Sequence, residues 1–316
     1  MKKVITAILA LALAVSFGGC SGKEKNYVIG ICQQIQHDAL DSATEGFKAA
    51  LTEEFGDKVT FDYQNASGDS TNCSTIINSF VSKNVDLIMA NATSAVQAAA
   101  AGTTSIPILG TSVTNYGTAL EIKDFTGTVG GNISGTSDLA PLDQQAQMIV
   151  DILPNAKTVG LLYCSSEPNS LYQIEIVKQE LEAKGITCNT YAFSDSNDIA
   201  AICSKACADC DAIYIPTDNT AANSTGVIDS VCRPAGVPII AGEEGICKGC
   251  GVATLSISYY DLGYQTGKMV VKVLKGEANI FEMPIEFASK FTKKYNAAIC
   301  EELNINIPDD YIAIES

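Results

Sequence analysis

The residues best equipped for chemistry in this chain are its cysteines. The stretch "CSKACADC" places Cys203, Cys207 and Cys210 at the Cys-x3-Cys-x2-Cys spacing of an iron–sulfur ligand set, and "CKGC" adds the pair Cys247 and Cys250. On a helix the first three fall on one face, and Ile199 and Ala206 extend the same stripe. The pattern therefore equally describes a core surface in which free cysteine packs as a small hydrophobe, and we expect neither a metal nor a cofactor. Of the 12 cysteines, setting Cys20 aside leaves an odd number, so a complete disulfide framework within one chain is impossible. Outside the cytoplasm, a chain this rich in thiols would fit a host that lives without oxygen. His37 is the single histidine, so any Ser–His or Cys–His mechanism would have to pass through it. No G-x-S-x-G elbow occurs. The stretch "GYQTGKM" is one residue short of a phosphate loop and lacks its Ser or Thr. These near-misses argue against an enzyme and leave binding as the activity to be sought.

The elements that would position a binding site are easier to read. Short β-branched runs alternate with helix-length amphipathic ones, the signature of parallel sheets covered by helices. Strands are expected at 27–33, 59–66, 85–92 and 106–113, with helices around 38–55, 70–83 and 94–102. The series then restarts, with strands at 158–165, 187–194, 211–218 and 237–244 and helices near 169–184, 197–208 and 220–235. Asp86 opens "DLIMANATS" as Asp211 opens "DAIYIPTDN", and each is followed by a helix and then an Ile-Pro-Ile or Val-Pro-Ile strand. This is a diverged internal repeat. The fold class it implies is α/β: two doubly wound parallel-sheet lobes joined by a three-segment hinge. The crossings are the Gly/Ser/Thr-rich 126–142, then 251–258 and 281–289, with a helix at 259–275 returning to the first lobe. The expected division is 27–137 plus 256–283 for the N-terminal lobe and 138–255 plus 284–316 for the C-terminal lobe. Hinged lobes close on something.

In open parallel sheets a ligand sits beyond the carboxyl ends of the strands. Those ends are small and polar here: Gln33, Asn91 to Ser94, Thr111 and Ser112, Thr217 to Asn219, and Glu243 with Glu244. Thr93 and Ser94 read as the N-cap of a helix whose free N–H groups would suit a carboxylate. Asp218, with Glu243 or Glu244, would meet an ammonium group. Opposite walls of this kind would select an α-amino acid.

The segments "IGICQQIQHDALDSATEGF", "DLIMANATSAVQAAA", "IPILGTSVT", "LPNAKTVGLLYCSSEPNS", "AIYIPTDN" and "SYYDLGYQTGKM" resemble the ABC-transporter substrate-binding lipoproteins of the tryptophan/aromatic amino-acid type, over nearly the whole mature chain. The resemblance implies the type I periplasmic-binding-protein fold, capture of a small amino acid outside the cytoplasm, most simply Trp, Phe or Tyr, and delivery to an ABC permease in the cytoplasmic membrane. It also carries site positions over: Ala92, Thr93 and Ser94 for the small-hydroxyl strand end, Ser137 and Asp138 at the hinge, Asn169 and Ser170 at a second-lobe helix start, and Asp218 with Asn219 in "PTDN". It places His37 just after the first strand, either lining the cleft or capping the next helix. Two departures bear on the ligand: Ser94 stands where the family has proline, and "GEEG" at Glu243 where it has "GDEG". The same fold also serves nucleosides, sugars and branched amino acids, and ligand-sensing modules of membrane receptors.

The N-terminus fits export. Lys2 and Lys3 precede an apolar run ending at Phe17, shorter than the roughly 20 residues of a membrane-spanning helix. "FGGC" resembles a lipobox, which makes 1–19 a signal peptide, Cys20 the lipidation site and 20–26 a polar tether holding the protein on the outer face of the membrane. A formal net charge of −16 excludes nucleic acid as a partner. A monomer is expected.

Overall fold

The computed structural model describes residues 25–315, so the expected signal peptide, the expected lipidation site Cys20 and most of the expected tether lie outside the described residues. The first lobe runs β1 (Tyr27–Gln33), α1 (Asp38–Phe55), β2 (Val59–Asn65), α2 (Ser70–Lys83), β3 (Leu87–Asn91), α3 (Thr93–Gly102), β4 (Ile108–Val113), the short α4 (Tyr116–Ala119) and β5 (Ile133–Ser137). The second begins with α5 (Leu142–Ile152), β6 (Thr158–Cys164), α6 (Pro168–Ala183), β7 (Thr187–Phe193) and α7 (Ile199–Asp209). It continues with β8 (Ala212–Ile215), α8 (Asn219–Ala222), α9 (Thr225–Cys232), β9 (Ile239–Ala241), α10 (Glu244–Cys250) and β10 (Ala253–Ser256). The chain then returns to the first lobe for α11 (Tyr259–Leu274) and β11 (Glu286–Phe287), and ends in the second with β12 (Thr292–Tyr295), α12 (Ala297–Glu302) and β13 (Ile312–Ala313).

Two sheets result. The first has the order β11-β5-β4-β3-β1-β2 and is parallel throughout. The second has the order β13-β12-β10-β9-β8-β6-β7, and within it only the β10–β12 pair is antiparallel. The paired aspartates of the repeat do the same work in each lobe. Asp86 Oδ2 accepts from the Val28 N–H at 2.9 Å, and Asp211 Oδ2 accepts from Lys157 and Thr158 at 2.8 and 2.9 Å. Each carboxylate ties the start of one strand to its neighbour and so sets the register.

Strands buried on both faces feed two cores at once. In β3, Ile88 and Ala90 pack under α2 and α3, while Leu87 and Met89 face Phe47, Leu51, Met269 and Val270 of α1 and α11. Each such side chain, fully removed from water, contributes about 1.5–3 kcal/mol. The α1–α11 contact is tight enough to require glycine: a Cβ on Gly263 would lie 1.8 Å from the Ala43 carbonyl oxygen, and one on Gly46 would lie 2.0 Å from that of Tyr260. The second sheet divides in the same way, with Leu161, Tyr214 and Ile240 on one side and Leu162, Ile213 and Ile239 on the other.

Several boundaries differ from the sequence expectation. The helix expected at 220–235 is two, because Asp218 caps the short α8 through the Ala221 N–H and the chain turns at Asn223 and Ser224 before α9. The strand expected at 237–244 ends at Ala241, since Glu243 caps α10. Glu286 and Phe287 pair with Thr136 and Ser137, so the third crossing leaves the first sheet after Phe287 rather than at 283. Cys203, Cys210, Cys247 and Cys250 belong to one apolar core beneath the second sheet, together with Cys164 and Cys232. All eleven cysteines from Cys32 to Cys300 are free thiols. Among the described residues no helix is long and apolar enough to cross a membrane.

Candidate ligand-binding cleft

The carboxyl ends of the two sheets face each other across a narrow cavity of about 10 Å³, room for about one water molecule. From the first-lobe side and the hinge come His37, Leu40, Ser112, Thr114, Asp138 and Tyr259; from the second come Asn169, Thr217, Asp218, Asn219, Ala222 and Glu243. The lobes touch here. His37 Nε2 lies 3.2 Å from Asn219 Oδ1, and the Thr114 and Thr217 hydroxyls are 3.5 Å apart.

Three buried polar atoms on this lining have no hydrogen-bond partner: His37 Nδ1, Ser112 Oγ and Asp138 Oδ1. Ser112 is held at φ +55, a conformation that costs a non-glycine residue energy and that marks functional sites. The other Asp138 oxygen accepts from the Tyr259 hydroxyl at 3.0 Å. Burial pushes the Asp138 carboxyl above its ordinary range. Burial and then the neighbouring Glu167 raise Asp218 to about 7, and burial raises Glu243 to about 7. Both acids already serve the backbone. Asp218 accepts from Cys164 and Ala221, and Glu243 from Gly245 and Ile246. The one carboxyl oxygen without a partner, Asp138 Oδ1, beside two further buried acids, fits a cation better than an anionic group.

Of the residues expected from sequence, Ser112, Asp138, Asn169, Asp218, Asn219 and Glu243 meet at this cavity. The remainder do not line it. The Gln33 carboxamide is consumed within the first lobe by Ile35 O, Asp41 and the Thr44 hydroxyl. Ala92, at φ +84, is the N-cap residue of α3, so Thr93 and Ser94 are its first helical residues rather than its cap. The Ser94 N–H expected to be free donates to Gln34 Oε1 at 3.2 Å. Thr93 and Ser94, expected to hold the carboxylate, do not line this cavity, whereas the unpartnered Ser112 hydroxyl does. Ser137 spends its hydroxyl on the Thr114 carbonyl, and Ser170 is buried beneath Asn169. His37 occupies the N-cap position of α1 but makes no side-chain cap bond, and its ring lines the cavity instead.

Sequence reasoning passed over Glu167, Thr114 and Tyr259. Glu167 is 3% exposed and accepts from the backbone and side chains of Asn219 and Thr220, at 2.7–3.0 Å. These partners are more than 50 residues away, and the one local side-chain partner, Asn169, is held at a longer 3.3 Å, so no local pattern announces it. A larger cavity of about 690 Å³ opens on the hinge flank, sharing Glu243 and Tyr259 with the cleft. Its wall includes already paired surface charges such as Lys294 with Glu244, and we place the site in the smaller space, where the unpartnered atoms converge.

Comparison with known proteins identifies the family. Residues 28–315 match the family model described as ABC transporter substrate binding protein. A protein of Clostridioides difficile named tyrosine-binding protein is 33% identical over 304 residues, 90% of this chain and 87% of that one. A crystal structure from Streptococcus pneumonia, an ABC domain in complex with L-Trp, is 35% identical with a TM-score of 0.86, covering 90% of this chain and 97% of that one. A ligand-free, open structure of a substrate binding protein with adhesive properties from Clostridium difficile is 32% identical but superposes less well, at a TM-score of 0.70 over 92% of this chain and 99% of that one. At nearly equal identity, that contrast is what rotation of two lobes about a hinge produces. Proteins of this kind work outside the cytoplasm and hand a small molecule to an ABC permease. With nearly its whole described length matched, the chain belongs to the ABC transporter substrate-binding protein family.

Proposed function

We propose that this protein captures an aromatic L-amino acid between its lobes and delivers it to a membrane permease, without making or breaking a bond. The observation that carries this is the set of unpartnered atoms, Ser112 Oγ and Asp138 Oδ1, beside carboxyls raised by burial. The ammonium group would be held by Asp138 with Asp218 across the cleft, and the carboxylate by the Ser112 hydroxyl. A sugar could reach Asp138 Oδ1 with a hydroxyl but would bring no positive charge to the buried acids. The names of the relatives, one a tyrosine-binding protein and one bound to L-Trp, support the aromatic class. Because the lobes already touch, loading requires opening about the crossings that leave β5, β10 and β11. Closure around the ligand then shifts the population toward the form the permease reads. Cys20 is the lipid-attachment point in this reading, and the protein acts as a monomer on the outer face of the membrane.

Thermal-shift screening against the twenty amino acids tests the proposal. A ligand at 100 times its Kd adds about 2.7 kcal/mol of stability, so Tyr, Trp or Phe should raise Tm by several degrees. Silence from all three, with a response to a sugar or nucleoside, would defeat it.

A further inference from the structure

The cleft contains one polar device that the capture of an amino-acid backbone does not use. Glu167 Oε2 receives both the backbone N–H and the side-chain NH2 of Asn219, at 3.0 and 2.7 Å. This fixes the Asn219 amide, with nitrogen toward Glu167 and Oδ1 toward His37. An oxygen in that position can only accept, so the proton on His37 must sit on Nε2, 3.2 Å away. The neutral ring then presents Nδ1 as a bare acceptor, and Nδ1 is buried without a partner. Burial lowers the His37 pKa, which keeps the ring in this neutral form.

The surroundings say which part of a ligand would meet Nδ1. The aliphatic side chains of the lining are Leu40 and Ala222, and Tyr259 adds an aromatic ring beside Asp138. Each lies three residues beyond one member of the His37–Asn219 pair, in the first turn of α1 and of α8 respectively. Of the three partners assigned above to the zwitterion, Ser112 and Asp138 come from the ends of β4 and β5, and Asp218, the cap of α8, adjoins Asn219. With Ser112, Asp138 and Asp218 engaged by the zwitterion, His37 Nδ1 is the unpartnered acceptor left for the ligand's side chain.

We propose that His37 is a specificity-determining residue: its Nδ1 accepts a hydrogen bond from a donor on the ligand's aromatic ring, a phenol O–H or an indole N–H. The inference rests on the aromatic amino-acid reading above and narrows it to Tyr and Trp over Phe. A site whose buried acceptor is left unpaired rejects the analogue lacking the donor, by factors of about 100 or more in favourable cases, and about tenfold is the minimum expected here.

The experiment is a calorimetric titration of the mature chain with L-Tyr, L-Trp, L-Phe and 4-fluoro-L-phenylalanine, repeated on His37→Leu. In the wild type, Tyr or Trp should bind at least about tenfold more tightly than Phe and the fluoro analogue. In His37→Leu that ratio should fall to near one while Phe affinity stays within about threefold, since the lost acceptor never served Phe. Equal wild-type affinities, or a preference that survives the substitution, would overturn the proposal. A uniform loss for all four ligands would overturn it too, assigning Nδ1 to the ammonium and leaving the amino-acid reading intact. Failure of every aromatic ligand on the wild type would instead remove the parent reading, and the inference with it. A second readout does not depend on the variant folding. His37 is the only histidine, so 15N-histidine labelling of untagged protein gives one pair of ring nitrogens. The Nε2–H tautomer should be present throughout, with the Nδ1 resonance moving on binding Tyr or Trp and staying put with Phe. An Nδ1–H tautomer in the free protein would contradict the mechanism.

Discussion

Glu243→Gln separates burial of a carboxyl from its service as a helix cap. The side chain is 3% exposed, accepts from the Gly245 and Ile246 N–H groups at the start of α10, and burial lifts its pKa from 4.5 to about 7. A folded pKa above the unfolded one means that the folded protein holds this proton more tightly. Its contribution to stability is therefore present at low pH and is lost as pH rises through about 7. Between pH 5 and pH 8 the wild type should lose about 2–3 kcal/mol through this group alone, and the glutamine variant should not. Glutamine turns an NH2 toward one of the two capping N–H groups, which costs about 1–2 kcal/mol at every pH. The variant should thus be less stable than the wild type at pH 5 and equal or more stable at pH 8. Urea unfolding followed by circular dichroism measures this in the absence of ligand, the chain having no tryptophan to report by fluorescence. A stability difference constant within about 0.5 kcal/mol over that range would refute the reasoning.

Other outcomes follow from the same geometry. Asp138→Asn removes the anionic partner assigned to the ammonium group and should weaken amino-acid binding by about 100-fold while leaving the fold intact, as titration calorimetry would show. Ser112→Gly relieves the φ of +55 and should raise stability by up to about 1 kcal/mol while weakening ligand by about tenfold, because the hydroxyl is lost. Gly263→Ala drives a methyl group into the Ala43 carbonyl and should cost about 3 kcal/mol or more, read as a lower Tm. Protein prepared anaerobically should show eleven titratable thiols from Cys32 to Cys300 in denaturant, and extensive native disulfide bonding would contradict the free-thiol core.

The alternation of elements was open to view in the sequence because parallel strands such as β3 are apolar on both faces, and because Asp86 and Asp211 mark the same point in both repeats. Composition could not show where a helix end points. Thr93 and Ser94 have the letters of a cap, yet the turn is made at Ala92 and Gln34 covers the exposed N–H. Gln33 sits at a strand end and faces inward, where Asp41 and Thr44 of the following helix claim it. Asp218 was legible as an acid at a strand end and Asp138 through the family resemblance, whereas Glu167 acts on residues 52 and 53 positions away, a relation that only the folded chain contains. The break between α8 and α9 escaped notice for a similar reason, since the Asp218 cap that shapes it reads as an ordinary strand terminus.

The most direct trial of the account is a calorimetric comparison of L-tyrosine with its two truncated relatives, tyramine and 3-(4-hydroxyphenyl)propionate, on the wild-type protein. A cleft that grips both ends of a zwitterion should bind tyrosine and lose about 100-fold or more when either end is missing. Equal binding of the deaminated acid would show that no carboxyl in the cleft meets an ammonium group, and the account would fail.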